Sequence, residues 1–111
     1  MTDVVGKRTL ITGAASGIGK LLAQRLGDAG ARLVLWDIDS AGLAQLETDC
    51  AAAGYEIDTY TCDLTSRETI AAVAARTLAD GGPIDILINN AGIVSGKTLL
   101  EISEEEIERT F

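Results

Sequence analysis

Four short apolar runs, RTLIT, ARLVLWD, EIDTYTC and IDILIN, are separated by three stretches in which apolar residues recur at helical spacing. No other feature of the chain narrows its fold as much. Strand followed by helix, repeated, is the pattern of a parallel sheet covered by helices on both faces. ARLVLWD is apolar almost throughout, as a parallel strand buried on both sides must be. The first helix is expected from Gly17, with Ile18, Leu21, Leu22, Leu26 and Ala29 on one face and Gly30 as its stop. The second starts at a Ser40 cap, turns Leu43, Leu46, Cys50 and Ala53 inward, and ends at Gly54. The third opens on a capping box, Thr65 as N-cap with Glu68 three residues on, and turns Ile70, Val73, Ala74, Thr77 and Leu78 inward until DGGP breaks it.

With right-handed crossovers the strand order expected is 3-2-1-4. That makes the fold class α/β, a Rossmann-type doubly wound parallel sheet with half of it present. The first two helices would cover one face and the third the other. After strand 4, SEEE offers a second capping box from Ser103 to Glu106, with Ile102 and Ile107 as its hydrophobic staple. The helix so begun has run only about two turns at Phe111, short of the roughly 12–15 residues an isolated helix needs. The expectation is therefore a truncated domain.

The balance of residue types excludes several functions. A chain of 111 residues makes one small domain. Aromatics are 4% of it while 47% is apolar, which suits helices on a sheet better than an aromatic-cored sandwich. The net charge of −8 argues against nucleic acid and against anionic membranes as partners. The late acidic run EISEEEIERTF reads as a solvated helix start. Cys50 and Cys62 have neither metal-ligand nor CxxC spacing, so no metal site is expected, and both read as reduced thiols of a cytoplasmic protein. MTDVVGKRTL has no targeting pattern, and no segment approaches the roughly 18–20 apolar residues of a membrane span.

The glycines of Thr12-Gly13-x-x-x-Gly17-x-Gly19 sit where strand 1 hands over to helix 1. A helix start carries unpaired N–H groups and a partial positive charge, and glycine lets an anion approach without a Cβ in the way. A pyrophosphate is the ligand such a turn suits. A tight turn that merely permits packing is the alternative, and the glycines alone leave both open. Asp37 closes strand 2, 18 residues after Gly19, where a carboxylate can accept from both ribose hydroxyls of an adenosine. Asp63 closes strand 3 and Asn89-Asn90-Ala91-Gly92 closes strand 4. All of these fall at carboxyl ends of strands, the ligand crevice of a doubly wound sheet.

Thr12-Gly13-Ala14-Ala15-Ser16-Gly17-Ile18-Gly19, Asp37, Asp63-Leu64 and Asn89-Asn90-Ala91-Gly92 together resemble the N-terminal half of a short-chain dehydrogenase/reductase. The resemblance spans nearly the whole chain, in the family's order and spacing. It implies that residues 1–111 are the NAD-binding half of such a domain. Its cofactor set would be Gly13, Ser16, Gly17, Ile18, Gly19, Asp37, Asp63, Leu64, Asn90, Ala91 and Gly92. Asp63 would face the adenine, Asn90-Ala91-Gly92 would back the adenosine, and Asn89 would help hold the central strands together. A carboxylate at Asp37 repels the 2′-phosphate of NADP, and Ser16 and Ile38 stand where a cation could have neutralised it. NAD is the cofactor expected.

The resemblance also implies a reaction, hydride transfer between the nicotinamide and a secondary alcohol or ketone. That reaction needs a tyrosine with a lysine four residues on, a serine and an asparagine. Tyr55 and Tyr60 are followed at that spacing by Thr59 and Leu64, so no catalytic residue is assigned here. A small-molecule substrate belongs to the complete enzyme, while this chain, with the far edge of strand 4 unpartnered, is expected to self-associate as a homo-oligomer. LVLWDID and NNAGIVSGKTLLEISEEEIERTF look more loosely like the retinol and hydroxysteroid dehydrogenases. The other reading is a non-catalytic, self-associating dinucleotide-binding module.

Overall fold

A strand buried at every residue must have cover on both faces, and β1 (Arg8–Thr12) is such a strand. The computed structural model describes residues 3–91 and the backbone of 93–94 and 97–98. It sets β1 between β2 (Arg32–Asp37) and β4 (Ile86–Asn89), with β3 (Ile57–Thr61) beyond β2. Every pairing in this sheet is parallel, and the order is β3-β2-β1-β4, as the crossovers require. A separate antiparallel pair follows, β5 (Ile93–Val94) with β6 (Lys97–Thr98). The stretch read as the Ser103–Glu106 capping box, with Ile102 and Ile107, lies outside the described residues.

The two-residue period of the strands sorts the core into two layers. Ile11, Leu33 and Leu35 pack with Ala23 of α1 (Gly17–Asp28) and with Leu43, Leu46 and Cys50 of α2 (Ser40–Ala52). Leu10, Val34, Trp36 and Tyr60 pack with Ile70, Val73 and Ala74 of α3 (Arg67–Gly81). One face thus takes α1 and α2, the other α3.

Three expectations about the helices change. The cap of α3 is Ser66, whose hydroxyl accepts from the Thr69 N–H. Thr65 stands one residue outside that cap, and its N–H, which Glu68 would accept in a capping box, goes to Asp63 Oδ1. The cap of α2 is Asp39, which accepts from the Gly42 N–H, and Ser40 becomes the first helical residue. On α1 the buried line is Gly19 and Ala23, while Ile18 and Leu21 are 68% and 50% exposed. Gly19 sits so close to the preceding loop that a Cβ on it would lie 2.2 Å from the Gly13 carbonyl oxygen. The smallest side of the helix therefore faces the sheet. Ala29 and Ala53 are exposed C-caps rather than core residues.

At the end of the sheet away from the strands' carboxyl ends, Arg8 is buried. Its guanidinium donates to the carbonyls of Thr77 and Gly82 and pairs with Asp58 at 3.2 Å. Gly81 leaves room for it, since a Cβ there would come within 2.5 Å of the guanidinium. Trp36 donates its indole N–H to the Thr77 hydroxyl, which donates to the Val73 carbonyl. α3 is tied to the sheet by these polar contacts as well as by its apolar stripe.

Candidate functional site

Gly13 turns the chain out of β1 with φ +64°, a conformation that favours glycine. α1 starts four residues further on, at Gly17, with Ser16 as its N-cap. The Ser16 hydroxyl donates to the Gly13 carbonyl and accepts from the Gly19 N–H and from the Asn90 side-chain amide. The first turn leaves the Gly17 and Ile18 N–H groups without intrahelical acceptors, and no acidic residue sits in that turn to oppose the helix dipole. Gly17 differs from its neighbours. Its φ is not positive, and a Cβ on it would meet no described atom within 4 Å. Nothing in the described chain requires glycine there, and the space above it stays open. Such a place admits an anion close to the backbone.

The other strand ends converge on this loop. Asp37 is held by two backbone N–H groups, Ala15 to Oδ2 and Asp39 to Oδ1, both at 2.9 Å. Asn90 donates from its side chain to the Gly13 carbonyl as well as to Ser16. The buried Thr12 hydroxyl donates to Asn89 and accepts from the Ala91 N–H, which fastens the end of β4 to the end of β1. Asn89 thus ties the central strands through Thr12. Asp63, at the end of β3, has its carboxyl held below the usual carboxylate range by the Thr65 hydroxyl and N–H. A depression of about 200 Å³ lies among these residues, lined by Gly13, Asp37, Ile38, Cys62, Asp63, Leu64, Thr65 and Ala91. Its sides are apolar and carboxylates stand at its margin, a slot that fits a flat heteroaromatic ring with hydroxyl or amino groups at its edge. Gly92 lies outside the described residues.

The family model of the short chain dehydrogenases matches residues 7–111. The chain belongs to that family. The chain is 44% identical to short-chain dehydrogenase/reductase family 16C member 6 of Bos taurus, over 98% of this chain and 35% of that protein. It is 42% identical to epidermal retinol dehydrogenase 2 of Homo sapiens, over 98% of this chain and 36% of that one. It spans about a third of the length of these curated relatives. Among solved structures, a short-chain dehydrogenase/reductase from Burkholderia phymatum in complex with NAD superposes with a TM-score of 0.78 at 35% identity, covering 84% of this chain and 33% of that one. A metagenomic short-chain oxidoreductase in complex with NADP does so with a TM-score of 0.76 at 41% identity, over 83% and 42% of the two chains.

Both tyrosines of this chain are engaged away from the depression. The Tyr55 hydroxyl donates to Asp28 and that of Tyr60 to Asp80. The Asp28 hydrogen bond raises the Tyr55 pKa, and burial followed by the Asp80 hydrogen bond raises that of Tyr60. A phenol pushed upward is unsuited to giving or taking a proton near neutral pH. Among the described residues no cluster of three or more His, Cys, Asp or Glu is placed to hold a metal ion, and no helix is long and apolar enough to cross a membrane.

Ile38 and Cys62 line the depression although the motifs do not name them. Ile38 carried a signal, an apolar residue between two aspartates at a strand end, and the structure leaves it 66% exposed. Cys62 carried none, because a buried thiol reads as core.

Proposed function

We propose that residues 1–111 bind NAD through the cradle at Gly17 and the adenosine slot, as the dinucleotide-binding half of an NAD-dependent short-chain dehydrogenase/reductase. The observation that carries the reading is the open space above Gly17, a glycine that neither backbone conformation nor packing demands. The first-turn N–H groups of Gly17 and Ile18, with Ser16 as cap, take the pyrophosphate. Gly13 and Gly19 let the loop turn and seat. Asp37 accepts from the ribose hydroxyls, Ile38 and Leu64 flank the adenine, and Asp63 accepts from its amino group. Asn90, Ala91 and Gly92 back the adenosine. Asp37 keeps acceptor capacity, since each oxygen takes one backbone N–H and a carboxylate can accept about four hydrogen bonds. The same charge disfavours the 2′-phosphate of NADP.

A bound nicotinamide supplies a hydride acceptor. The whole protein would use it on a secondary alcohol or ketone, and the names of the retinol and estradiol dehydrogenases it resembles favour a lipid alcohol. Buried free thiols at Cys50 and Cys62 support a cytoplasmic setting. The outer edge of β4, unpaired among the described residues, supports association of copies. Titration calorimetry with NAD and NADP tests the cofactor. Micromolar to millimolar NAD binding with weaker NADP is expected, and Gly17→Ala should abolish it while leaving the thermal melt in place. Equal binding by Gly17→Ala would overturn the cradle.

A further inference from the structure

Asp37 is one corner of a closed circuit. The Ala15 N–H meets its Oδ2 and the Asp39 N–H its Oδ1. Asp39 in turn accepts from the Gly42 N–H through its own Oδ1, at 2.9 Å. Gly42 closes the circuit by contact rather than by a hydrogen bond. A Cβ at Gly42 would lie 2.5 Å from Asp39 Oδ2 and 3.0 Å from the Ala15 Cβ. The first turn of α2 therefore rests bare backbone against the loop between β1 and α1, with the Asp37 carboxylate between them. Gly42 is half-buried and its φ is ordinary for a helix, so neither strain nor turn geometry asks for glycine. Alanine is the better helix former at such a position.

We infer that Gly42 is a positioning residue: its missing side chain lets α2 brace Ala15 and Asp39, which aims the Asp37 carboxylate and so sets the preference for NAD over NADP. This rests on the cofactor reading proposed above. A methyl group at residue 42 must displace the Asp39 carboxylate, Ala15 or both. Turning the Asp39 carboxylate aside gives up the α2 cap and leaves the Asp39 N–H in place, so while the cap holds it is Ala15 that yields, and the Ala15 N–H moves with it and re-aims Asp37. The atoms nearest the added methyl belong to Asp39 and Ala15, not to Gly17, Asp63 or Leu64.

The test is calorimetric titration of the 111-residue chain with NAD and with NADP, beside thermal melts followed by circular dichroism. Gly42→Ala is expected to melt no lower than the wild type, yet to bind NAD about three- to tenfold more weakly, the scale of one lengthened charged hydrogen bond. NADP binding should change less, so the ratio of the two affinities falls. A purely structural role would weaken both equally. In the double variant Asp39→Ser/Gly42→Ala the shorter serine keeps the cap and removes the nearest atom, and at least half of the lost preference should return. An unchanged ratio in Gly42→Ala, no recovery in the double variant, or outright unfolding of Gly42→Ala would each overturn the inference. A wild-type chain that binds no NAD would overturn the cofactor reading, and this inference with it.

Discussion

Gly17 and Gly19 stand two residues apart and serve different ends. Gly19 is required by packing, since a methyl group there would collide with the Gly13 carbonyl and with Ala14. Gly19→Ala should cost about 3 kcal/mol, the upper range of overpacking, read as a lower urea midpoint. Gly17→Ala should leave that midpoint within about 0.5 kcal/mol, because nothing described lies nearby. The motif pattern alone could not separate the two glycines, because spacing records where a side chain is missing but not which atoms crowd it. Asp37 is the other residue whose role divides. It was legible as a carboxylate at a strand end, but its hydrogen bond to Ala15 was not, because the partner lies on a different βα turn. Asp37→Ala should weaken NAD binding about ten- to hundredfold, since a hydrogen bond to a charged group contributes about 1.5–3 kcal/mol. NADP should not gain correspondingly, because the loop loses its anchor as well. Parallel titrations check this, and tight NADP binding by the variant would show that the anchor is unimportant.

At the level of elements, the four main strands and three helices were readable because each apolar run is short, bounded by glycine or a cap, and followed by a helical period. The caps slipped by one residue at α2 and α3. In DIDS and DLTSRE two or three adjacent side chains can each cap, and what decides is which backbone groups neighbouring contacts already hold, as Asp63 holds the Thr65 N–H. The inward face of α1 was legible only in part: Leu22 and Leu26 pack against the core as their spacing implies, but glycine and alanine make the close contact, and Ile18 and Leu21 face outward. Least legible was Arg8, which looks like a solvated strand start. Its partners lie 50 to 74 residues away in sequence. Arg8→Met should leave the Thr77 and Gly82 carbonyls without their donor and Asp58 without its cation. The expected loss is about 2–4 kcal/mol. Amide exchange should show the last turns of α3 opening first. Uniform protection across α3 in the variant would mean that the apolar stripe alone holds it.

For the molecule as a whole, the titrating groups set an alkaline limit. Burial, then the charge of Asp63, pushes the Cys62 thiol up to about 12, and burial and Asp80 push Tyr60 up as well. The folded state keeps protons that the unfolded chain releases, so this stability is complete below about pH 8 and declines as pH rises through the ordinary thiol value near 9 and then the ordinary phenol value near 10, by up to about 1.4 kcal/mol per pH unit for each group. Urea melts at pH 8 and pH 10 should differ, and Cys62→Ala should flatten the difference. Sedimentation over a hundredfold range of concentration should show self-association through the β4 edge, and a monomer throughout would exclude it. Trp36 has a consequence of another kind. It is the only tryptophan in the chain, it is buried, and its carbonyl accepts the Ala14 N–H of the glycine turn. The protein thus carries a single indole fluorophore, one residue from Asp37. Its emission comes from one rigid, dry place and shifts to the red when that place is flooded. Indole emission overlaps the absorption of a reduced nicotinamide, so NADH arriving at the crevice should dim Trp36 by energy transfer, and occupancy becomes visible as light, without a label.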